Sequence, residues 1–367
     1  MTQFGGLGGL GGLGGLGGLG GLGGLGQSGL GAFLGAGAVP VYNTVLTEGM
    51  LVSERGIHEA AQHPGPGPGG GTQLQFDSTE NLKLWATWVR ASLYLTEFMR
   101  GIDWHVQGTK IGLTLKDQPF FEVVRPDIET FAGQLADIKG HKGEQREERA
   151  AEVLSQLGLP TEYFAMLLGL TPAMNPYTFE LISITQVISA HLAMVVKHTM
   201  ACARPDRLDG TVMPMIPTPG HGSFPSAHAT EAYSVAGILS ALIDGSKYPD
   251  HENRKALVYQ QARRIAENRH VAGVHYPIDS WAGAALGTSI AKLLLKRCGH
   301  PIDARGYSFA PHDGFNEQFK WVGKDGLNGP EDEQLFGLSK LDPVTPVRSE
   351  KLAWLWNKAR SEADGTA

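Results

Sequence analysis

The stretch "HGSFPSAHAT", residues 221–230, places a serine and a histidine two residues apart at the start of a predicted helix. Apolar residues recur at helical spacing after Pro225, so Ser226 and His228 fall at its first turn. The backbone N–H groups of a first turn lack intrahelical partners and can hold an anion. Alternatively, Ser226 is an N-cap and His228 a surface side chain. The stretch taken alone leaves both interpretations open.

Two basic residues precede this stretch. Lys197 and Arg204 are seven residues apart, near the C-terminal end of a long predicted helix. Seven residues are close to two helical turns, so both side chains emerge on one face. An alternative explanation is that cations favour helix C-termini, where they interact with the helix dipole. The spacing therefore indicates a shared basic face without assigning it a ligand.

A third group lies in "NRHVAGVHYPIDSWAG", residues 268–283. Arg269, His275 and Asp279 stand here at spacings of six and four residues. Pro277 suits the first position of a helix, which places Asp279 in the first turn. A carboxylate there can accept the Nδ1 proton of a nearby imidazole and leave Nε2 as a nucleophile or ligand. Alternatively, Asp279 only complements the helix N-terminus while His275 packs in the core.

Together the three groups supply three cations, a hydroxyl, the N–H groups of a helix start and two histidines. Such a set fits a tetrahedral or trigonal-bipyramidal oxyanion. Lys197, Arg204 and Arg269 would neutralise its equatorial oxygens, since arginine offers a planar fork and lysine a point charge. Ser226 and the backbone N–H of Ala227 would complete the binding site.

This order of motifs resembles a known superfamily, which joins type 2 phosphatidic acid phosphatases, bacterial non-specific acid phosphatases and vanadium-dependent haloperoxidases. Its pattern is K-x6-R-P, then P-S-G-H, then S-R-x5-H-x3-D. The corresponding residues here are 197–205, 225–228 and 268–279. The resemblance covers the helices from about 180 to 297.

Two positions depart from the pattern. Ala227 replaces the glycine of the middle motif, and Asn268 replaces the serine before the arginine. Alanine keeps the backbone N–H that an oxyanion needs, so that contact survives where φ is negative, as at a helix start. The departure at Ala227 therefore bears only on how closely the anion approaches.

The resemblance implies one site with two chemistries. A haloperoxidase oxidises a halide with hydrogen peroxide at a bound vanadate. In such an enzyme, His275 would be the protein ligand of vanadium, and His228 would assist the binding of hydrogen peroxide. In an acid phosphatase, which needs no such cofactor, His275 would attack the phosphorus of a phosphomonoester to give a phosphohistidine. Asp279 would orient His275, and His228 would protonate the leaving oxygen.

Weaker signals bear on the choice between the two chemistries. His221 lies five residues before Ser226, where the bromide-oxidising haloperoxidases that this chain resembles carry a second histidine near the metal. Met194, three residues before Lys197, stands where haloperoxidases often have Trp or Arg near the halide, and this departure argues against a haloperoxidase. We predict a vanadium haloperoxidase-like enzyme first and an acid phosphatase second. A third hypothesis is a non-catalytic association protein with a relict site.

The elements that position these residues are predicted to be almost wholly helical. Asp77, followed by Glu80, is a capping signal for the first helix of the globular part. Further helices are predicted near 127–139, 144–157, 161–169, 178–203, 226–243, 251–268, 277–297 and 349–362. Strand signals are weak, as at 120–124, and His300–Pro346 is predicted to be mostly irregular. The predicted class is all-α, a helical bundle with long loops, as the resemblance also implies.

The N-terminal part has a different composition. Residues 5–25 are seven Gly-Gly-Leu triplets, which predict a flexible low-complexity tail over 1–38 or, as a lesser alternative, self-association through the leucines. A Gly/Pro-rich linker is expected over 39–72, followed by a helical catalytic domain over 73–367.

Composition limits the partners and the location. The net charge of −6 and the 19% content of charged residues argue against a nucleic-acid partner. Two cysteines, Cys202 and Cys298, predict reduced thiols rather than a disulfide scaffold. The most apolar segment, 181–196, is interrupted by Gln186 and His191 and predicts a core helix without a membrane span. With no ordinary signal peptide, the expectation is a soluble, cytoplasmic protein, with a homo-oligomer as an option.

Overall fold

The computed structural model of the protein describes residues 44–60, 74–141, 143–158, 160–321, 327, 329–330 and 333–366. The α-helices are α1 (Thr44–Ala60), α2 (Thr87–Met99), α3 (Ile128–Gly140), α4 (Glu144–Ser155), α5 (Thr161–Leu168), α6 (Pro176–Met200), α7 (Pro205–Leu208), α8 (Ala227–Ile243), α9 (His251–Val271), α10 (Pro277–Arg297) and α11 (Glu350–Ala363). Two 3₁₀ helices span Thr79–Leu84 and Gly210–Val212. The strands are β1 (Ile102–Gln107), β2 (Lys110–Leu115), β3 (Gln118–Val124), β4 (Tyr307–Phe309) and β5 (Leu338–Lys340).

The helical bundle is confirmed, but the all-α class is wrong in part, because the chain also forms a five-stranded sheet in the order β1-β2-β3-β4-β5. Neighbouring strands are antiparallel except β3 and β4, which pair in parallel with Phe121 opposite Tyr307. The weak strand signal at 120–124 belongs to β3. Both β4 and β5 lie in the segment that was predicted to be mostly irregular.

The start of the globular part also differs from the prediction. Asp77 is not the cap: the side chain of Ser78 accepts a hydrogen bond from the Glu80 N–H at 3.3 Å and begins the 3₁₀ helix. That helix ends at Leu84, and α2 begins three residues later as a separate element. The helix that was predicted to follow the cap at Asp77 is therefore two separate elements.

The predictions for the two cysteines and for the N-terminal region can also be compared with the structure. Cys202 and Cys298 are both free and buried, which confirms reduced thiols. Helix α1 lies inside the range 39–72 that was predicted as a linker. The tail prediction over 1–38 falls outside the residues that the structure describes.

Helix α8 is the centre of the bundle. All its residues are buried, and it packs against α6, α9 and α10. Helix α10 in turn contacts β3 and β4, so the sheet covers the far side of the core. A helix enclosed on every side must be apolar all round, and this explains why α8 has few charged residues.

Two glycines let α8 and α10 approach closely. A Cβ atom at Gly283 would lie 2.6 Å from the Ser226 carbonyl oxygen, and one at Gly287 would lie 2.3 Å from the Thr230 carbonyl oxygen. The contact positions advance together along both helices, so the two run in the same direction and begin side by side. The Ser226 N–H donates to the Asp279 carbonyl oxygen at 2.8 Å across this junction.

Helix α6 runs antiparallel to α8 and brings its C-terminal end to the same place. The hydroxyls of Ser189 and Ser234 are 2.6 Å apart in the middle of the pair, whereas Lys197 bonds to the loop before α8. At the other end, the Glu362 carboxylate accepts from the N–H groups of Tyr177 and Thr178. This carboxylate satisfies donors that a helix start leaves unpaired, and it fixes α6 in position.

Gly287→Ala is expected to lower the free energy of unfolding by about 1–3 kcal/mol, because the new Cβ meets main-chain atoms that cannot move alone. Gly133→Ala is the matched control, since Gly133 is an exposed helical glycine with nothing within 4 Å of a new Cβ. The control is expected to stabilise the protein by about 0.5–1 kcal/mol. Urea unfolding of the two variants checks this, and equal midpoints would contradict the close packing.

Candidate active site

The three groups of motif residues meet where the N-terminal ends of α8 and α10 face the C-terminal ends of α6 and α9. His275 lies in the short loop between α9 and α10, and Asp279 lies in the first turn of α10. Pro277 begins α10, as predicted. The structure therefore brings the separate motifs into one buried cluster.

His275 is oriented by Asp279. The His275 Nδ1 atom donates to the Asp279 Oδ2 atom at 2.7 Å, and the same oxygen accepts from the Tyr276 N–H at 3.0 Å and from the Ser223 hydroxyl. Because a carboxylate only accepts, the proton of the imidazole is on Nδ1 and the Nε2 atom carries a lone pair. Arg204 Nη1 donates to this Nε2 atom at 3.0 Å.

Burial lowers the pKa of His275 and raises that of Asp279, and so favours the uncharged form of each side chain. The pKa of His275 is held well below its usual value by burial and by the neighbouring cations Arg204 and Lys197. Burial also raises the pKa of Asp279, to about 6, although hydrogen bonding by Ser223 and the nearby cations oppose the rise. His275 is therefore a neutral imidazole with an available lone pair at neutral pH.

Lys197 and Arg204 meet in the cluster, but they do not share the helix face that was predicted, because α6 ends at Met200 and Arg204 follows it, just before α7. Both side chains hold the loop before α8. Lys197 Nζ donates to the carbonyl oxygens of Gly222 and Ser223 at 2.9 and 2.7 Å. Arg204 donates from Nε to the His221 carbonyl oxygen at 3.1 Å and from Nη1 to the Val274 carbonyl oxygen at 2.6 Å. Both cations are 3% exposed or less, and burial lowers both pKa values, that of Arg204 to about 10.

His221 belongs to the same cluster. Its ring Nδ1 atom lies 3.1 Å from Arg204 Nη2, and the side chain is half-buried at the edge of the site. Burial and the adjacent cations lower its pKa to about 3. The first histidine of the quoted stretch therefore contacts Arg204 in the site rather than solvent alone.

Ser226 and Ala227 begin α8, as the sequence predicted. The Ser226 hydroxyl accepts from the Ala229 N–H at 3.3 Å, which is the capping role. Both residues are fully buried beside Asp279, to which the Ser226 N–H is bonded. A cap at this place puts the positive end of α8 into the cluster, so capping and anion binding use the same geometry.

His228 and Arg269 are held by a partner that sequence reasoning missed. The His228 Nε2 atom and Arg269 Nη1 both donate to the main-chain carbonyl of Gln156, at 2.9 and 3.2 Å. Arg269 Nη2 donates to the Val153 carbonyl oxygen at 3.2 Å. Within the part of the chain that the structure describes, the Arg269 Nε–H has no partner. Burial lowers the pKa of Arg269 to about 10 and that of His228 well below its usual value.

Two further side chains were missed. Ser223 is buried between Lys197 and Asp279, and its place inside the quoted stretch was the signal that could have found it. Glu231 is fully buried one turn after His228, and neither of its carboxylate oxygens has a partner among the described residues. Burial raises its pKa well above the usual value, against the opposing charge of Lys197, and so favours the protonated, neutral carboxyl group. The signal that could have found Glu231 was an acidic residue in the otherwise apolar helix α8.

The donor set fits an oxyanion. It consists of three buried cations, a helix start and an orphaned buried Nε–H on Arg269, all of which donate hydrogen bonds. Among the residues described, no group of three or more His, Cys, Asp or Glu side chains is arranged to hold a metal cation. Vanadate and phosphate are both oxyanions, and either matches these donors.

Comparison with solved structures gives several similar chains, two of which are a phosphatase and a peroxidase. One is a transmembrane PAP2-type phosphatidylglycerolphosphate phosphatase from Bacillus subtilis, at 21% identity and a TM-score of 0.35, covering 45% of this chain and 81% of that chain. The other is a bacterial vanadium-dependent iodoperoxidase, at 14% identity and a TM-score of 0.35, covering 45% of this chain and 46% of that chain. Comparison with curated proteins gives no significant match.

The prediction of a soluble, cytoplasmic protein is not supported. Among the described residues, the helical run Pro176–Leu208 is long and apolar enough to cross a membrane by length and composition, although 83% of its most apolar window is buried inside the protein. Gln186 and His191 did not exclude a span, because two uncharged polar residues leave a longer helix predominantly apolar.

A family model matches residues 179–299, which it describes as PAP2 superfamily. The matched segment contains Lys197, Arg204, His228, Arg269 and His275. It also coincides with the range 180–297 over which the motifs resemble the phosphatase and haloperoxidase superfamily. Over residues 179–299, this chain is therefore similar to the PAP2 superfamily.

Proposed function

We propose that the protein is a vanadate-dependent haloperoxidase, which uses hydrogen peroxide to oxidise a halide. The observation that carries this proposal is the protonation state of His228. Its Nε2 atom bonds to a carbonyl oxygen, which only accepts, so a proton is on Nε2, and in the neutral imidazole Nδ1 carries the lone pair. With its pKa lowered by burial and by Arg269, the resting His228 is a base rather than an acid.

A base is what the first step of a peroxidase needs. Hydrogen peroxide must lose a proton to bind as an anion, and a neutral imidazole accepts it. A phosphatase instead needs a protonated group that gives its proton to the leaving oxygen. The resting state of His228 therefore favours peroxide chemistry.

The residues present fit vanadate as a resident cofactor. Lys197, Arg204 and Arg269 would hold its oxygens together with the start of α8, and His275 Nε2 would be the protein ligand of vanadium. Bound vanadate would supply a Lewis-acidic centre for peroxide that does not change its oxidation state. Asp279 keeps the His275 proton on Nδ1, so the lone pair of Nε2 stays available.

His221 adds to this proposal. It is bonded to Arg204, the cation that also contacts His275, so its charge state and position bear directly on the site. In a peroxidase it would lie beside the oxyanion without being required as a ligand. His221 is therefore held against Arg204.

An acid phosphatase is the second candidate. The unprotonated Nε2 atom of a buried His275 is also the state required for attack on phosphorus, and the same cations would hold a phosphomonoester. Under this proposal His228 would first have to gain a proton when the anionic substrate binds. That extra requirement places the phosphatase after the peroxidase.

Paired activity assays distinguish the candidates. Protein loaded with orthovanadate is expected to brominate a phenolic dye with peroxide and bromide, while vanadate-free protein leaves p-nitrophenyl phosphate intact. Phosphate release by vanadate-free protein, inhibited by vanadate and without bromination, would put the phosphatase first. Oxyanion binding with neither activity would favour the relict-site hypothesis and contradict both enzymes.

His275→Ala is expected to lower kcat/KM for either activity by about 10³-fold or more, because it removes the atom that bonds to vanadium or phosphorus. His198→Ala is the matched control: His198 is exposed on α6, next to Lys197 in sequence. The control should retain full activity and the same vanadate affinity. Retention of activity by His275→Ala would overturn the site assignment.

The activity is expected to fall below about pH 6. The pKa of Asp279 is raised to about 6, so its carboxylate is present above this pH and is protonated as pH falls through it. Protonation removes the acceptor that orients His275, and kcat/KM reports this ionisation in the free enzyme. Asp279→Asn should abolish this acid limb and lower activity by about 10³-fold or more. A pH profile of kcat/KM with an unchanged acid limb in the variant would contradict this role.

A further inference from the structure

Asn268 makes an unusual set of contacts. Its side chain is fully buried on α9, immediately before Arg269. The Nδ2 group donates to Glu152 Oε2 and to Gln156 Oε1, each at 2.9 Å. The Oδ1 atom accepts from Arg149 Nη1 at 3.2 Å. Every one of these bonds goes to α4 or to Gln156, the residue directly after Ser155.

These bonds fix the end of α4 against the site. The carbonyl oxygens of Val153 and Gln156 lie at the C-terminal end of α4, where carbonyls lack intrahelical partners and the helix dipole is negative. They are the acceptors for both terminal nitrogens of Arg269 and for His228 Nε2. The position of α4 therefore sets which nitrogen of His228 carries the proton.

The residue type at position 268 matters for this attachment. Asparagine has two N–H donors and one acceptor, and here each side of the amide is used. A serine has one shorter donor, which serves one acceptor at a time. The departure of Asn268 from the motif pattern therefore has a physical role: it joins α9 to the end of α4.

We propose that Asn268 is a positioning residue, which acts through Gln156 to hold His228 in the Nε2–H tautomer and Arg269 in the oxyanion site. The inference rests on the proposed function only in that the site binds an oxyanion. It applies equally to peroxide chemistry and to phosphate chemistry, because both use His228 and Arg269.

Helix α4 keeps other attachments when Asn268 is changed. Arg264 donates to both carboxylate oxygens of Glu152, at 2.9 and 2.6 Å. Arg146 donates to the carbonyl oxygens of Val271 and Met213, at 3.0 and 2.7 Å. A variant at position 268 is therefore expected to keep α4 docked while loosening its last turn.

The test compares full-length wild-type protein with Asn268→Ser, labelled with ¹⁵N-histidine. The His228 signals are assigned by their loss in His228→Gln. Wild type is expected to show one neutral tautomer with the proton on Nε2, and Asn268→Ser a mixture of the two tautomers. Asn253→Ala is the matched control, since Asn253 lies on the same helix, is exposed, and donates to Asp250. The control should give the wild-type signals.

Calorimetric titration with inorganic phosphate and with orthovanadate provides the second measurement. Asn268→Ser is expected to weaken binding of both anions by about tenfold, since Arg269 loses its fixed position. If Asn268→Ser does not fold, Gln156→Ala removes the same link from the other side and keeps the main-chain carbonyl, and it should give the same mixture of tautomers.

The outcomes separate this inference from the proposed function. An unchanged single tautomer of His228 in folded Asn268→Ser or Gln156→Ala would overturn the positioning role, whatever the activity of the enzyme. Absence of phosphate and vanadate binding in wild type would overturn the proposed function. The tautomer comparison would still decide the role of Asn268 in that case, because it needs no bound anion.

Discussion

The burial of three cations is the constraint on which the rest of this structure depends. Lys197, Arg204 and Arg269 are 2%, 3% and 1% exposed, and removing such groups from water costs several kcal/mol each unless hydrogen bonds replace the hydration. Main-chain carbonyls supply those bonds, from the loop before α8, from Val274 and from the end of α4. Because carbonyls are neutral, they stabilise the cations without cancelling their charge. The resting site therefore keeps a positive field for an oxyanion.

The helix arrangement follows from the same constraint. The starts of α8 and α10 lie side by side and add two positive dipole ends to the three cations, which would repel one another without compensation. Compensation comes from Asp279 and from the negative end of α4, whose carbonyls face Arg269. Gly283 and Gly287 permit the close approach that brings the two helix starts together.

Sequence spacing predicted the parts of the site that depend on local geometry. His275 and Asp279 pair because a helix start separates them by one turn. The helix face predicted for Lys197 and Arg204 was wrong, because α6 ends at Met200; the two cations instead meet at the loop before α8. Gln156 was not predictable, because it acts through its main-chain carbonyl on a histidine 72 residues away, and a carbonyl leaves no signal in residue type. Strands β4 and β5 were missed because three residues are too few to show alternation; their pairing to β3 and to each other stabilises them.

Asp279 shows how one residue serves packing and chemistry through different atoms. Its main-chain carbonyl accepts from the Ser226 N–H and joins α10 to α8, whereas its side chain accepts from His275 and Ser223. The helix junction therefore does not depend on the charge of the carboxylate. Ser226 divides its roles in the same way, since its hydroxyl caps α8 while its N–H bonds to α10. The orientation of His275 is in this way tied to the close contact of α8 with α10, because the same residue makes the junction and orients the imidazole.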